Sequence, residues 1–342
     1  MVKALRLPEG MLVDPTRSRI VSVKIKKNVK FYKLVVLEST AWQHRIGHQR
    51  DWVWRGWQTR YSFLHPRDRH METQPPIILL HGFGASIEHW RHNIAVLSEN
   101  SSVYALDLLG FGGSKKADTQ YSVYLWTRQV YDFWRTFINR PVILVGNSIG
   151  SLVCLTAAYN YPEMVAGISM LSLPDVAIRQ EAIPKPLQPI VMGIEGLFAS
   201  PWLLKGLFRF LRQPSVIRRW AGVAYIDQKA VNEELVEILT RPAQDQGADT
   251  TFYRLFDAVR SPNFAPPAKV VLPRLEIPVL LIWGQQDRMV PPALAEVFAK
   301  LNPNIELVEL DGVGHCPQDE CPEQFNPILQ NWIKTRFNHK VS

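Results

Sequence analysis

Cysteine and long apolar runs are both scarce in this sequence. The 342 residues include three cysteines, Cys154, Cys316 and Cys321, too few and too unevenly placed for a disulfide framework, so we expect reduced thiols. No run of about 18 uncharged apolar residues occurs, which argues against a transmembrane helix. Residues 1–13 lack the long apolar segment of a secretory signal. These absences predict an intracellular protein, cytoplasmic or peripheral to an internal membrane, or stromal if the source has plastids.

Patterns for metal and phosphate binding are also missing. His89 and His92 stand three residues apart on a predicted helix, but no Cys, Asp or Glu accompanies them at ligand spacing. The glycines of His81-Gly82-Phe83-Gly84 are not followed by the Lys-Ser/Thr pair of a phosphate-binding loop. We therefore expect no metal ion and no cofactor.

The excess positive charge is confined to one end of the chain. The net charge is +8, and residues 1–50 contain 11 Lys and Arg against 3 Asp and Glu. Within this arm, apolar and basic residues alternate from Arg19 to Leu37, which predicts strands with one basic face. Such an arm can attract nucleic acid or an anionic membrane surface, but the simpler and favoured interpretation is a solvated face. We expect no nucleic-acid partner.

Apolar runs separated by helical segments predict an α/β fold with a mostly parallel central sheet and helices on both faces. A hairpin over Trp52–Leu64, turning at Arg55-Gly56, opens the sheet. Buried strands are expected at Ile77–Leu80, Val103–Leu106, Val142–Val145, Val165–Leu171, Val279–Trp283 and Ile305–Leu310. From Pro174 to Leu272 no such run occurs. The predicted organisation is a basic arm (1–50), a core (51–173 and 273–342) and an inserted helical lid (174–272).

The segment Gly146-Asn147-Ser148-Ile149-Gly150 follows a predicted strand and precedes a predicted helix. A G-x-S-x-G motif in this position is typical of a nucleophile elbow, in which Ser148 sits on a strained turn and Gly146 and Gly150 leave room for neighbouring backbone. The alternative is a helix-capping serine between glycine turns.

A serine nucleophile needs a base, and the base needs a carboxylate that orients it. His315 lies in a glycine-flanked loop after the last predicted strand, and Asp287 follows the strand before it. The chain order Ser, acid, His agrees with the order found with such elbows. Asp175, just after the strand Val165–Leu171, is the alternative acid.

Acyl transfer also requires donors for the oxyanion, usually backbone N–H groups. We assign this function to the N–H groups of Ile149, directly after the nucleophile, and of Phe83. His81, Gly82 and Gly84 complete the loop that carries Phe83, and its glycines allow a close approach to substrate.

These motifs together resemble the signature set of the α/β-hydrolase superfamily, over residues 52–337. Within it, the chain is most similar to capped hydrolases of cyanobacteria and plastids related to pheophytinase, whose elbow also reads Gly-Asn-Ser. The resemblance implies an α/β-hydrolase fold and hydrolysis of an ester or thioester, with a phytyl, isoprenoid or acyl ester as substrate. Members that open epoxides or displace halide carry an aspartate nucleophile, against which Ser148 argues.

Three functions remain open at this stage. The first is a serine hydrolase that cleaves a carboxylic ester through an acyl-enzyme on Ser148. The others are a C–C bond hydrolase with the same triad and a catalytically weak ligand-binding receptor. In the lid, the apolar stretch Ile190–Leu211 either lines a tunnel for a lipophilic substrate, touches a membrane or packs the lid on the core.

Overall fold

The computed structural model describes residues 41–68, 72–175 and 201–337. The described residues from Trp42 onward belong to one compact unit. The strands predicted within Arg19–Leu37 and the lid segment 176–200 lie outside the described residues.

In the part of the chain that the structure describes, eight strands form one sheet in the order β1-β2-β4-β3-β5-β6-β7-β8. The β1–β2 hairpin and the β2–β4 pair are antiparallel, whereas the remaining pairs are parallel. The fold class predicted from the apolar runs is therefore confirmed. The strands are β1 His48–Trp54, β2 Trp57–Leu64, β3 Ile77–Leu80, β4 Val103–Leu106, β5 Val142–Asn147, β6 Val165–Leu171, β7 Val279–Gly284 and β8 Ile305–Leu310.

Helices connect the strands and cover the sheet. None of the helices in the described part of the chain is long and apolar enough to cross a membrane. The α-helices are α1 Ile94–Leu97, α2 Val123–Phe137, α3 Ile149–Asn160, α4 Pro201–Leu211, α5 Pro214–Ala224, α6 Glu233–Thr240, α7 Ala248–Arg260, α8 Ala268–Val271, α9 Ala293–Ala299, α10 Pro317–Glu320 and α11 Pro322–Phe337. Short 3-10 helices span Ala41–His44, Ile87–Trp90, Pro162–Met164, Arg241–Gln244 and Leu272–Arg274.

The central strands are buried on both faces because their apolar residues alternate between two cores. Ile78 and Leu80 of β3 pack with α2, α3 and α9 on one side of the sheet. Ile77 and Leu79 pack with α1 and α11 on the other. Two-sided burial explains why these strands are continuous apolar runs rather than alternating ones.

The described part of the insertion between β6 and β7 contains the helices α4–α8 and no strand. Helix α6 begins at Asn232, whose side-chain oxygen accepts a hydrogen bond from the Leu235 amide at 2.9 Å, an N-cap favoured at helix starts. Helix α4 packs on α7 through Phe208, which stacks on Phe252 with ring centroids 4.9 Å apart. We refer to helices α4–α8 and the turns between them as the cap. Hydrogen bonds join Ala224, Ile226 and Asp227 of the cap to the segment after β8.

Candidate active site

Ser148 occupies the sharp turn between β5 and α3. Its φ of 54° and ψ of −113° are strained for a residue with a side chain. A Cβ on Gly150 would lie 2.2 Å from the Leu80 carbonyl oxygen, and one on Gly146 would lie 2.3 Å from backbone of Gly150. Only glycine fits at either position, so the sequence Gly-x-Ser-x-Gly produces a turn that presents Ser148 half-exposed.

His315 and Asp287 are joined by a hydrogen bond of 2.8 Å between Nδ1 and Oδ2. The Asp287 side chain is fully buried and that of His315 is 10% exposed. Burial acts to raise the pKa of Asp287, but the bond from His315 and the amides of Val290 and Met289 outweigh it and lower that pKa. An ionised Asp287 accepts from Nδ1–H, which leaves Nε2 of His315 to take a proton.

Asp175, the alternative acid, is buried after β6. The carboxylate bonded to His315 Nδ1 is that of Asp287 rather than that of Asp175. Of the two candidate acids, Asp287 is the one in contact with this ring nitrogen of His315.

Asn147 ties the histidine loop to the elbow. Its side-chain nitrogen donates to the His315 carbonyl oxygen at 2.9 Å, and the Cys316 thiol lies 3.9 Å from its side-chain oxygen. Because Asn147 directly precedes Ser148, this bond holds the loop of the base beside the nucleophile. The sequence motif included Asn147 without assigning it a function.

The next feature of the site is the pair of backbone amides assigned to the oxyanion hole. Within the described ranges, neither the Phe83 nor the Ile149 amide donates a hydrogen bond to another protein group. A Cβ on Gly82 would lie 3.4 Å from Cβ of Ser148, so the loop of Phe83 passes close to the elbow. Free amides near a nucleophile can stabilise an oxyanion.

His81 fixes the orientation of this loop. The Leu108 amide donates to His81 Nε2 at 3.1 Å, so the ring proton resides on Nδ1, which lies 2.7 Å from the Gly82 carbonyl oxygen. Burial lowers the pKa of His81 to about 4 and keeps it neutral. In a trans peptide the C=O and the following N–H point in opposite directions. Because His81 holds the Gly82 carbonyl oxygen on its own side of this peptide bond, the Phe83 N–H points away from the His81 ring.

Asp107 braces the loop after β4. Its carboxylate accepts hydrogen bonds from the amides of Ile87 at 2.8 Å and Gly113 at 2.6 Å. Burial, with the nearby Glu88 carboxylate, raises the pKa of Asp107 to about 7. These bonds give Asp107 a structural function, because they hold the backbone at Ile87 and Gly113 to the end of β4.

Glu320 connects the histidine loop to the cap. Its carboxylate accepts the Gly314 amide at 2.8 Å and the amides of Ile226 and Asp227 at 2.6 and 2.8 Å. Burial raises the pKa of Glu320, although these hydrogen bonds oppose the shift. The carboxylate therefore clamps the turn after α5 to the residue before His315, a connection that sequence reasoning missed.

A buried polar cluster extends from this clamp. The Tyr225 hydroxyl donates to Asp319 Oδ2 at 2.6 Å and lies 2.6 Å from His89 Nε2. Burial lowers the pKa of His89 to about 4 and keeps its ring neutral. Because the Tyr225 hydroxyl proton points to Asp319, the hydroxyl oxygen accepts a hydrogen bond from His89 Nε2. Arg91 pairs with Asp319 at 2.6 Å and with Glu234 of α6 at 2.7 Å. This cluster joins the cap to the core, and in the described ranges no group of three His, Cys, Asp or Glu could hold a metal ion.

The three cysteines are free and buried. Burial raises the pKa of each thiol, that of Cys321 to about 12. Thiols held in this state are poor nucleophiles. The three thiols are therefore weaker candidates for a nucleophile than the partly exposed Ser148.

Comparison with known proteins gives distant relatives that carry different names. The chain is 27% identical to the uncharacterized hydrolase YugF of Bacillus subtilis (strain 168), covering 75% of this chain and 89% of the relative. It is 24% identical to the chloroplastic pheophytinase of Arabidopsis thaliana (76% and 61% covered). It is also 24% identical to the 2-hydroxymuconate semialdehyde hydrolase of Pseudomonas sp. (strain CF600) (75% and 86% covered).

The fold and the family are shared more clearly than any activity. A crystal structure of a membrane phospholipase A, described as a bacterial virulence factor, superposes with a TM-score of 0.69 at 24% identity, over 87% of this chain and 89% of that one. The model of the alpha/beta hydrolase family matches residues 77–328, which include every residue of the candidate site. The chain belongs to the alpha/beta hydrolase family.

Proposed function

We propose that the chain is a serine hydrolase that cleaves a carboxylic ester through an acyl-enzyme on Ser148. One observation carries the proposal: a strained, half-exposed serine at the end of β5 lies next to a loop whose histidine is hydrogen-bonded to a buried carboxylate. A serine hydroxyl is a poor nucleophile until a base accepts its proton, and this arrangement supplies that base.

The reaction follows from the placement of these groups. Ser148 Oγ attacks the ester carbonyl while His315 Nε2 accepts the hydroxyl proton, and the amides of Phe83 and Ile149 bind the oxyanion. Collapse of the tetrahedral intermediate expels the alcohol, which takes the proton from His315. Water then adds to the acyl-enzyme by the same route and releases the acid and Ser148.

A lipophilic ester is the substrate class that the loops around the site support. The side chain of Phe83 is 50% exposed and that of Met289 is 48% exposed, and each belongs to a loop that carries a site residue. Apolar side chains on such loops favour apolar substrate groups. The relationship to pheophytinase supports an isoprenoid or acyl ester.

Cleavage of a C–C bond is the second candidate, favoured by the relationship to a 2-hydroxymuconate semialdehyde hydrolase. Both reactions would use the same three residues, so the two functions are distinguished by which substrate is hydrolysed faster. An esterase hydrolyses p-nitrophenyl esters faster than a vinylogous diketone, and a C–C hydrolase shows the opposite preference.

Labelling by a fluorophosphonate probe tests the nucleophile directly. The native chain and the variant Ser148→Ala are compared, and hydrolysis of p-nitrophenyl esters of four to sixteen acyl carbons is followed in parallel. We expect labelling only of the native chain and turnover that rises with acyl length. A native chain that is folded yet neither labels nor turns over esters contradicts the proposal and favours a ligand-binding receptor.

A further inference from the structure

Helix α4 exposes a row of apolar side chains. Leu203, Leu207 and Phe210 are 42%, 47% and 56% exposed. Their spacing of four and three residues places them along one side of the helix. Most large apolar side chains of a soluble domain are buried, and an exposed row marks a surface that contacts something else.

This row is not the one by which α4 packs on the protein. Leu204 and Phe208 are buried, and Phe208 stacks on Phe252 of α7. At about 100° per residue, the exposed row lies roughly a third of a turn from this packed row. Helix α4 thus keeps its place in the cap through one side and presents a second apolar side outward.

The charged residues of α4 and α5 are all basic, although Arg218 of α5 pairs with Glu233 of α6. Residues 201–226 contain five basic residues and no Asp or Glu. On α4, helical geometry places the exposed Arg209 on the outward face, separated from the apolar row by Gly206. Helix α5 adds Trp220, which is 57% exposed, beside the exposed Arg219. The five basic residues are Lys205, Arg209, Arg212, Arg218 and Arg219.

We propose that α4 docks on the surface of an anionic lipid bilayer, with Leu203, Leu207 and Phe210 among the acyl chains and the basic residues at the phosphate groups. Helices that combine an apolar side with Lys and Arg lie in the plane of the bilayer interface, and an anionic leaflet attracts each nearby cation. A second copy of this cationic surface would be repelled, so charge favours lipid over self-association.

The docking helix is connected to the candidate site through α5. Helix α5 follows α4 after Arg212 and Gln213, and its last residue, Ala224, accepts the backbone amide of His315 at 2.8 Å. Docking would therefore bring the cap, rather than the β1 edge of the sheet, against the lipid. The inference concerns binding and does not require turnover.

Co-sedimentation with vesicles tests the proposal on the full chain. Vesicles of phosphatidylglycerol and phosphatidylcholine are compared with vesicles of phosphatidylcholine alone, using a triple variant (Leu203→Ser, Leu207→Ser, Phe210→Ser) and a charge variant (Arg209→Glu). Matched controls are Val297→Ser, at an apolar residue of α9 that is 44% exposed, and Lys334→Glu, at an exposed lysine of α11.

We expect the native chain to bind the anionic vesicles and the triple variant to lose at least about tenfold in partitioning, since several apolar side chains leave the bilayer. Arg209→Glu should lose at least about fivefold, with both controls unchanged. Equal binding by native chain and α4 variants would overturn the proposal and assign lipid binding elsewhere, for instance to the basic residues 1–50.

Two further measurements distinguish lipid docking from self-association and from the hydrolase function. Without vesicles, a native dimer that the triple variant converts to a monomer would show that a second copy covers α4, which overturns the lipid proposal. Vesicle binding by Ser148→Ala equal to that of the native chain is expected. If the native chain binds vesicles through α4 but does not react with fluorophosphonate, docking stands and the hydrolase function fails.

Discussion

The backbone amide of His315 donates a 2.8 Å hydrogen bond to the carbonyl oxygen of Ala224, the last residue of α5. The residue proposed as the general base is thereby bonded to the cap as well as to Asp287. Glu320 strengthens this junction, because its carboxylate accepts amides from both the histidine loop and the turn after α5.

Replacing Glu320 with alanine should slow acylation by releasing the loop of His315 from the cap. Hydrogen bonds to a charged group contribute about 1.5–3 kcal/mol each, so we expect the second-order rate of fluorophosphonate labelling to fall at least about tenfold. Glu320→Gln, which keeps one oxygen acceptor, should recover part of the rate. Glu323→Ala, at an exposed carboxylate in the first turn of α11, is the control, and labelling of Glu320→Ala at the native rate would disprove a positioning function.

Asp287→Asn should lower kcat for ester hydrolysis by about 10⁴-fold, the size of effect known when the orienting carboxylate of a serine triad becomes an amide. The amide no longer stabilises the imidazolium that forms during attack. Asp175→Asn, which changes the alternative acid in the same way, should retain most activity. Steady-state kinetics of both variants decide between the two carboxylates, and a larger loss in Asp175→Asn would reverse the assignment.

Gly150→Ala should destabilise the fold, because the new Cβ would lie 2.2 Å from the Leu80 carbonyl oxygen and neither backbone can move freely. Overpacking of this kind costs about 1–3 kcal/mol or more. Gly206→Ala is the opposite control, since an added Cβ meets nothing within 4 Å on α4 and should raise stability by about 0.5–1 kcal/mol. Urea unfolding curves measure both changes, and an unchanged midpoint in Gly150→Ala would show that the elbow relaxes.

Acidification should weaken the fold through its buried histidines. Burial lowers the pKa of both His81 and His89 to about 4, so below pH 6.5 the unfolded chain binds protons that the folded chain excludes. Stability from these groups is complete above pH 6.5 and is lost as pH falls toward 4, by about 1.4 kcal/mol per pH unit for each histidine.

The variant His89→Gln isolates one of these contributions. Asp107 and Glu320, whose pKa values are raised, act in the opposite direction, so the informative quantity is the difference in pH slope between native chain and variant. Urea unfolding at pH 7 and pH 5 should show a smaller pH effect in His89→Gln. His48→Gln, at an exposed histidine, should behave as the native chain does, and equal slopes in all three would contradict the linkage.

The centre of the sheet was predictable from sequence because its strands are buried on both faces. Runs such as Ile77–Leu80 and Val165–Leu171 have the same bounds in the sequence prediction and in the structure. The glycines around Ser148 were equally informative, since only glycine tolerates the close backbone contacts there. Local sequence patterns of this kind are therefore sufficient to predict the fold and the turn at Ser148.

Contacts between segments that are far apart in the sequence leave no comparable local pattern. Glu320 and Ile226 are 94 positions apart, and Tyr225 meets Asp319 across the same interval. Which amides donate hydrogen bonds to a buried carboxylate depends on how the cap folds onto the core. Neither composition nor periodicity contains that information. The metal-binding pattern considered for His89 and His92 likewise gave no hint that His89 bonds a cap tyrosine.

The burial of Cys154, Cys316 and Cys321 has a practical consequence for labelling chemistry. Maleimides and similar electrophiles react with accessible thiolates, and the native thiols are neither accessible nor readily ionised. A single cysteine introduced at an exposed position, such as Leu207 or Lys334, would then be the fastest-reacting thiol of the folded chain. Spin labels or environment-sensitive dyes can be placed there one at a time without first removing the native cysteines.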